Sequence, residues 1–319
     1  MSFLSHFQKY RNLYMGIAIL MVLLYHMDCV THIPLALRYS ARYLYLGVDI
    51  FMCASGFGLC YAIRKYSAVL FYKRRLLRIY PSYLVMALAV TSLHLIGGEH
   101  FSAWDWFCQL STLQYYLVGG HFFDWYLSAL ILLYLFFPLL YKCQFPYTPG
   151  LLFLAGFLTI VMIPQPWMIQ ALVARIGIFA YGILMYRVLE QGVSPRYLLT
   201  NGIGFALISP LPFFLYEKFG HVDFVFSAGI TPLLMYLIFA AHQRTESIVC
   251  IRSISRLLSW LGQYSLSVYI ANVAVMHTMS VILHSVNVAY YCGLQLIYGA
   301  VFIAVECYLL RPLTQRLMR

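Results

Sequence analysis

Charge is what this sequence has least of. Asp, Glu, Lys and Arg make up 10% of its 319 residues, and only ten residues are acidic. Soluble domains carry about 25% charged residues, so a chain this poor in charge must use lipid as part of its solvent. Other signals are missing too. There is no C-x-x-C pair and no His/Cys spacing suited to zinc, so no metal site is expected. No internal repeat, low-complexity tract or long linker interrupts the chain, which excludes solenoids and disordered arms. The eight cysteines, at 29, 53, 60, 108, 143, 250, 292 and 307, are scattered and read as small packing residues. The strict alternation of a membrane β-barrel is absent: runs such as "LSALILLYLFFPLLY" are apolar on every side.

What is present is apolar sequence, 63% of the chain, in runs of bilayer-crossing length. Backbone groups in hydrocarbon must be paired within their own segment, so these runs are expected to be helices. Spans are read at about 12–28, 42–63, 79–97, 123–141, 150–164, 168–188, 197–216, 224–242, 258–283 and 289–310. The expectation is an all-α integral membrane bundle of about ten helices, forming one domain over 1–319 with no room for an appended soluble domain. The first run is longer than a signal-peptide core, follows Lys9 and Arg11 and lacks a small-residue cleavage site, so it reads as a retained span. The segment from Gly97 to Phe122 is aromatic and bounded by glycine pairs, and is expected to lie along the membrane surface.

The net charge of +11 would suit nucleic acid, but its placement argues against that partner. With the N-terminus inside, seventeen of the 21 Lys and Arg residues fall on inner segments. Arg38, Arg42 and Lys218 fall outside, and Arg175 falls within a span. This is the positive-inside pattern, and it puts both termini in the cytoplasm.

Ionisable groups inside spans are expensive, at about 2.5–3.5 kcal/mol or more, and mark functional sites. The run "GIAILMVLLYHMDCV" ends on His26 and Asp28. Asp49 lies about two turns into the second span, at a depth similar to His26 if both helices cross the membrane. A carboxylate beside an imidazole sets its tautomer and raises its basicity, so His26 and Asp49 are candidates for a catalytic pair. Arg175 and Glu306 are further charges within spans, able to pair with each other or to line a path. His277 and His284 read as packing or interface residues, and His94 and His100 need no special account. The loop "YKRRLLRIYPSY" carries Lys73, Arg74, Arg75 and Arg78, with Arg75 and Arg78 on one helical face if it is helical. Guanidinium forks bind phosphate, and juxtamembrane basic clusters also orient spans. In "YLGVDIFMCASGFGLCYAIRKY", Ser55 precedes Gly56 and Gly58, which permit close helix packing or room for a ligand. Trp125 and Tyr126, with Asp124, suit a sugar site by stacking and hydroxyl binding, or an aromatic belt.

In order along the chain, "MGIAILMVLLYH", "YLGVDIFMCASGFGL", "FYKRRLLRIYPSY", "FDWYLSALILLYLFFPLL", "ARIGIFAYGILMY" and "LGQYSLSVYIANV" resemble segments of the acyltransferase-3 family of membrane O-acyltransferases. The resemblance implies about ten helices in a bacterial plasma membrane. It also implies transfer of an acyl group, usually acetyl from acetyl-CoA, to a carbohydrate hydroxyl of a surface polysaccharide or glycolipid. No tightly bound cofactor is implied; acyl-CoA is a co-substrate. His26 matches the family's essential histidine, and Arg75 and Arg78 match its R-x-x-R pair linked with the donor. Lys73, Arg74 and Ser55 join the donor set, and Asp28, Asp124, Trp125 and Tyr126 the acceptor set. Two positions depart from the pattern. Met15 stands where the family has an arginine eleven residues before the histidine, and Arg11, one turn earlier on the same face, is the substitute. Asn272 stands where the ninth-span segment often ends in histidine. A transporter or flippase for a lipid-linked saccharide is the alternative, using the same buried charges as a substrate path.

Overall fold

The computed structural model describes residues 2–27, 41–112, 114–117, 125–142, 145–163, 166–211, 214, 223–283 and 287–318. Among them every regular element is helical. Seven helices are long and apolar enough to cross a membrane, within Tyr43–Lys65, Ala68–Ile96, Trp125–Lys142, Met168–Glu190, Asp223–Thr245, Ser265–Leu283 and Val288–Leu317. Arg11–His26 and Thr148–Met162 are apolar but shorter. The chain packs as two compact units: Met1–Ala18 with Tyr45–Tyr66 and Leu132–Gln263, and Ile19–Leu44 with Ser67–Ile131 and Tyr264–Arg319.

The first unit begins with a short helix, α1 (Phe3–Lys9), capped by the Ser2 hydroxyl. It continues into α2 (Arg11–His26), whose first half belongs to this unit. The centre is the crossing of α3 (Leu46–Lys65) and α8 (Trp167–Glu190). Glycine makes that crossing possible. A Cβ on Gly56 would fall 2.1 Å from the Phe179 carbonyl oxygen, and one on Gly182 would fall 2.0 Å from that of Cys53. The two backbones touch directly, the small-residue packing that holds helices together in lipid. The same reciprocal arrangement joins α2 to α11 (Val249–Gln263), where Gly16 meets the Leu258 carbonyl and Gly262 that of Asn12. Around this centre pack α7 (Thr148–Met162), α9 (Arg196–Ile208) and α10 (Asp223–Thr245), with α6 (Trp125–Lys142) contributing its second half.

α1 is fastened by a buried polar cluster. His6 Nε2 lies 2.9 Å from His242 Nδ1, His6 Nδ1 lies 3.0 Å from the Tyr14 hydroxyl, and the Tyr10 hydroxyl donates to Glu246. Burial, reinforced by His242, pushes the His6 pKa down to about 4. The unfolded chain therefore takes up this proton first as pH falls. The stability it contributes is full above about pH 6.5 and is lost as pH drops toward 4, by at most about 3 kcal/mol. Thermal melts are expected to show this fall in the wild type and a flatter profile in His6→Gln.

The second unit is built on α4 (Ala68–Ile96), α12 (Ser265–Thr278) and α13 (Val288–Val305), with the second half of α2. The stretch expected to be a loop, "YKRRLLRIYPSY", is helical and continuous with the third span. Ser67 caps the helix at the Leu70 amide, and Pro81 sits inside it. Membrane helices tolerate an internal proline because neighbours satisfy the freed carbonyl. Conversely, the expected span 258–283 is interrupted at Tyr264, which separates α11 from α12. α12 runs on into a π-helical turn at Met279–Leu283. The segment after Gly97, of which residues 113 and 118–122 lie outside the described residues, does not stay at the end of α4. It forms α5 (Ala103–Leu110), started by a reciprocal capping box between Ser102 and Asp105. The Tyr80 and Tyr83 hydroxyls of α4 bond the carbonyls of Leu110 (3.1 Å) and Gln109 (2.5 Å) at its far end. Tyr80 is sixteen residues before Ile96, about 24 Å down the helix, so α5 returns along α4 to the level of the basic residues.

Candidate active site

In the first unit the sequence-predicted charges form a buried ion pair. Arg175 of α8 places Nε 2.9 Å from Asp49 Oδ1 of α3, and both side chains are fully buried. The Ser227 hydroxyl joins the carboxylate. Arg175 also donates to the Ala171 carbonyl at 3.0 Å, and its guanidinium lies 4.9 Å from the Phe224 ring centroid. Asp49, expected to orient the His26 imidazole, is thus engaged by Arg175 instead. Arg175, offered as a partner for Glu306, has Asp49. Arg11 reaches from α2 to α3, where its Nη2 donates to the Ala54 carbonyl at 3.2 Å. A Cβ on Gly58 would come within 3.0 Å of that nitrogen. The glycine after Ser55 and Phe57 therefore makes room for a guanidinium, and Ser55 itself is buried close by on α3.

The second unit holds the rest. His26 is the last residue of α2 and half-buried, with Nδ1 shielded from solvent. The Asn272 side chain of α12 meets the imidazole. Asn272 is itself aimed by a second contact: its amide nitrogen donates to the Tyr291 hydroxyl at 3.1 Å, and Tyr291 donates to the Leu23 carbonyl at 2.8 Å. The Asn272 oxygen makes no hydrogen bond among the described residues, so the contact places a polar side chain beside the ring without fixing its tautomer. Tyr291 packs with Val275 and Met279, and Met27 closes the cluster beside His26.

On α4, Arg74 and Arg75 are half-buried, while Lys73 and Arg78 are exposed. Trp125 and Tyr126 begin α6. Tyr126 is buried edge-on against Tyr269 (5.0 Å), whereas Trp125 is only half-buried. Glu306 bonds Ser267 and pairs with Arg311 at 2.9 Å. Asp28 and Asp124 lie outside the described residues. Among the described residues no group of three or more His, Cys, Asp or Glu is placed to hold a metal.

One polar chain escaped the sequence reading. Glu99 Oε1 lies 2.8 Å from His94 Nδ1, and His94 Nε2 lies 2.9 Å from His277 Nδ1. Gly97 lets this end of α4 close on the π-turn, since a Cβ there would fall 2.5 Å from Val281 Cγ1. From sequence alone, His277 reads as a packing or interface residue and His94 needs no special account. No local spacing links positions 94 and 277, so only the fold could join them.

The described residues are helical with bilayer-length spans, and the second unit holds both His26 and the basic helix α4. A family model described as an acyltransferase domain, that of the acyltransferase-3 family, matches residues 15–309 of the 319. The chain belongs to that family of membrane acyltransferases. No curated protein and no solved structure matches it.

Proposed function

We propose that this protein is an O-acyltransferase of the bacterial plasma membrane. In this reading it carries a short acyl group, acetyl in the first instance, from acyl-CoA in the cytoplasm to a carbohydrate hydroxyl of a surface polysaccharide or glycolipid. About ten spans place both termini in the cytoplasm, as the charge distribution favours. The observation that carries the reading is that His26 meets Asn272, itself tied through Tyr291 to the Leu23 carbonyl, within a unit that also presents four basic residues on α4.

In this mechanism the CoA phosphates meet Arg75 and Arg78, with Lys73 and Arg74 adding charge. His26 takes the proton of the acceptor hydroxyl as that oxygen attacks the thioester carbonyl. The C–S bond breaks, the CoA thiolate leaves, and the imidazolium returns the proton to the sulfur, so an ester and free CoA are formed with no net proton change. The acyl group could instead rest first on His26, which leaves the overall balance the same. Arg11 fills the role of the absent arginine at position 15.

Purified protein given acyl-CoA and glycan acceptor is expected to release one free thiol per ester formed. Surface glycans from cells lacking the gene are expected to lose one acyl ester by mass spectrometry. A transporter would move substrate without consuming thioester, and that result would overturn the reading. Arg75→Gln together with Arg78→Gln is expected to raise the KM for acyl-CoA about tenfold or more, with a smaller change in kcat, because the phosphates are bound equally before and during the reaction.

A further inference from the structure

Gln109, one residue before the end of the returning helix α5, is only 1% exposed. Neither its amide nitrogen nor its carbonyl oxygen has a hydrogen-bond partner among the described residues. A buried carboxamide without partners is costly and is rarely kept without a reason. Its surroundings indicate one. The Gln109 backbone carbonyl is bonded by Tyr83, and the next carbonyl by Tyr80, which lies two residues beyond Arg78. Gln109 is therefore held within about two turns of Arg75 and Arg78 along the axis of α4, not at the opposite end of that helix. Its ligand must bring both a donor and an acceptor into a setting of helices and aromatic rings.

We propose that Gln109 binds the amide-bearing pantetheine arm of CoA where that arm leaves the phosphates. This rests on the acyl-CoA reading above and adds to it a residue that recognises the arm and not the nucleotide. The arm carries two secondary amides, each with one N–H and one carbonyl, on an otherwise apolar thread. Those groups match what the Gln109 oxygen and nitrogen lack. A sugar hydroxyl offers the same pair of functions, but nothing in its chemistry draws it toward four cationic side chains.

The test uses the full-length protein in detergent or nanodiscs, with equilibrium binding of CoA and of adenosine 3′,5′-bisphosphate, which has the phosphates but no arm. Gln109→Met keeps the length of the side chain and removes both polar functions. It is expected to weaken CoA binding on the order of tenfold and to leave adenosine 3′,5′-bisphosphate binding unchanged. Arg75→Gln is expected to weaken both. Without ligand, Gln109→Met is expected to melt at or above the wild-type temperature, since it removes an unsatisfied group. Three results would overturn the proposal: wild-type CoA affinity in Gln109→Met, equal loss of both ligands, or a variant that melts well below wild type. If the wild type binds no CoA at all, the donor reading itself fails, a result distinct from a Gln109 variant that binds as tightly as wild type.

Discussion

His26→Ala is expected to lower acyl transfer by about 10²–10⁴-fold, the usual contribution of a positioned general base, while the protein still inserts and purifies as a monodisperse species. The ring is at the end of a helix and only half-buried, so truncation removes little packing. The pattern across neighbouring positions carries as much information as the single value. Tyr291→Phe removes the hydroxyl that aims Asn272 without touching the imidazole, so it is expected to reduce kcat by a smaller factor with KM for the donor unchanged. His26→Ala protein that folds and still forms ester at the wild-type rate would remove the histidine from the mechanism, both as base and as acyl carrier.

The second large effect is on stability. Asp49→Ala leaves the Arg175 guanidinium charged in a fully buried site, and breaking a buried pair on one side costs about 3–5 kcal/mol. Arg175→Met strands the carboxylate in the same way. Either variant is expected to show a markedly lower melting temperature or little folded yield. The double variant Asp49→Leu with Arg175→Met replaces the pair by apolar groups of similar bulk and is expected to recover most of the loss. If Asp49 acts only by orienting an imidazole, the opposite holds: Asp49→Ala would fold normally, and the double variant would be no better than either single one.

These two sites also mark what was legible in the sequence. The helical class followed directly from apolar runs in which backbone groups have nowhere else to bond. His26 and the basic residues stand out as candidates because ionisable groups are rare in such a chain. Partners were not readable. Asp49 and Arg175 lie on helices far apart in sequence, and position alone pointed Asp49 equally well toward His26. The helical state of Lys73 to Pro81 was hidden by the proline, which in water marks a boundary but in a packed membrane helix does not. The path of α5 was hidden for a related reason. Its aromatic residues suit an interface, and only the hydroxyls of Tyr80 and Tyr83, on another helix, draw its end inward. Asn272, noted as a departure from the family pattern, is tied to Tyr291, a contact that no spacing in the sequence reveals.

The two crossings in which glycines face each other's backbones have a consequence for how this chain can diverge. At Gly16, Gly56, Gly182 and Gly262, even a methyl group would collide with main-chain oxygen, which cannot rotate out of the way as a side chain can. These four positions should therefore be the least mutable of the first unit, less forgiving than its aromatic core. In a library covering every codon they would drop out first, and inherited or engineered changes there would abolish the protein rather than retune its choice of substrate.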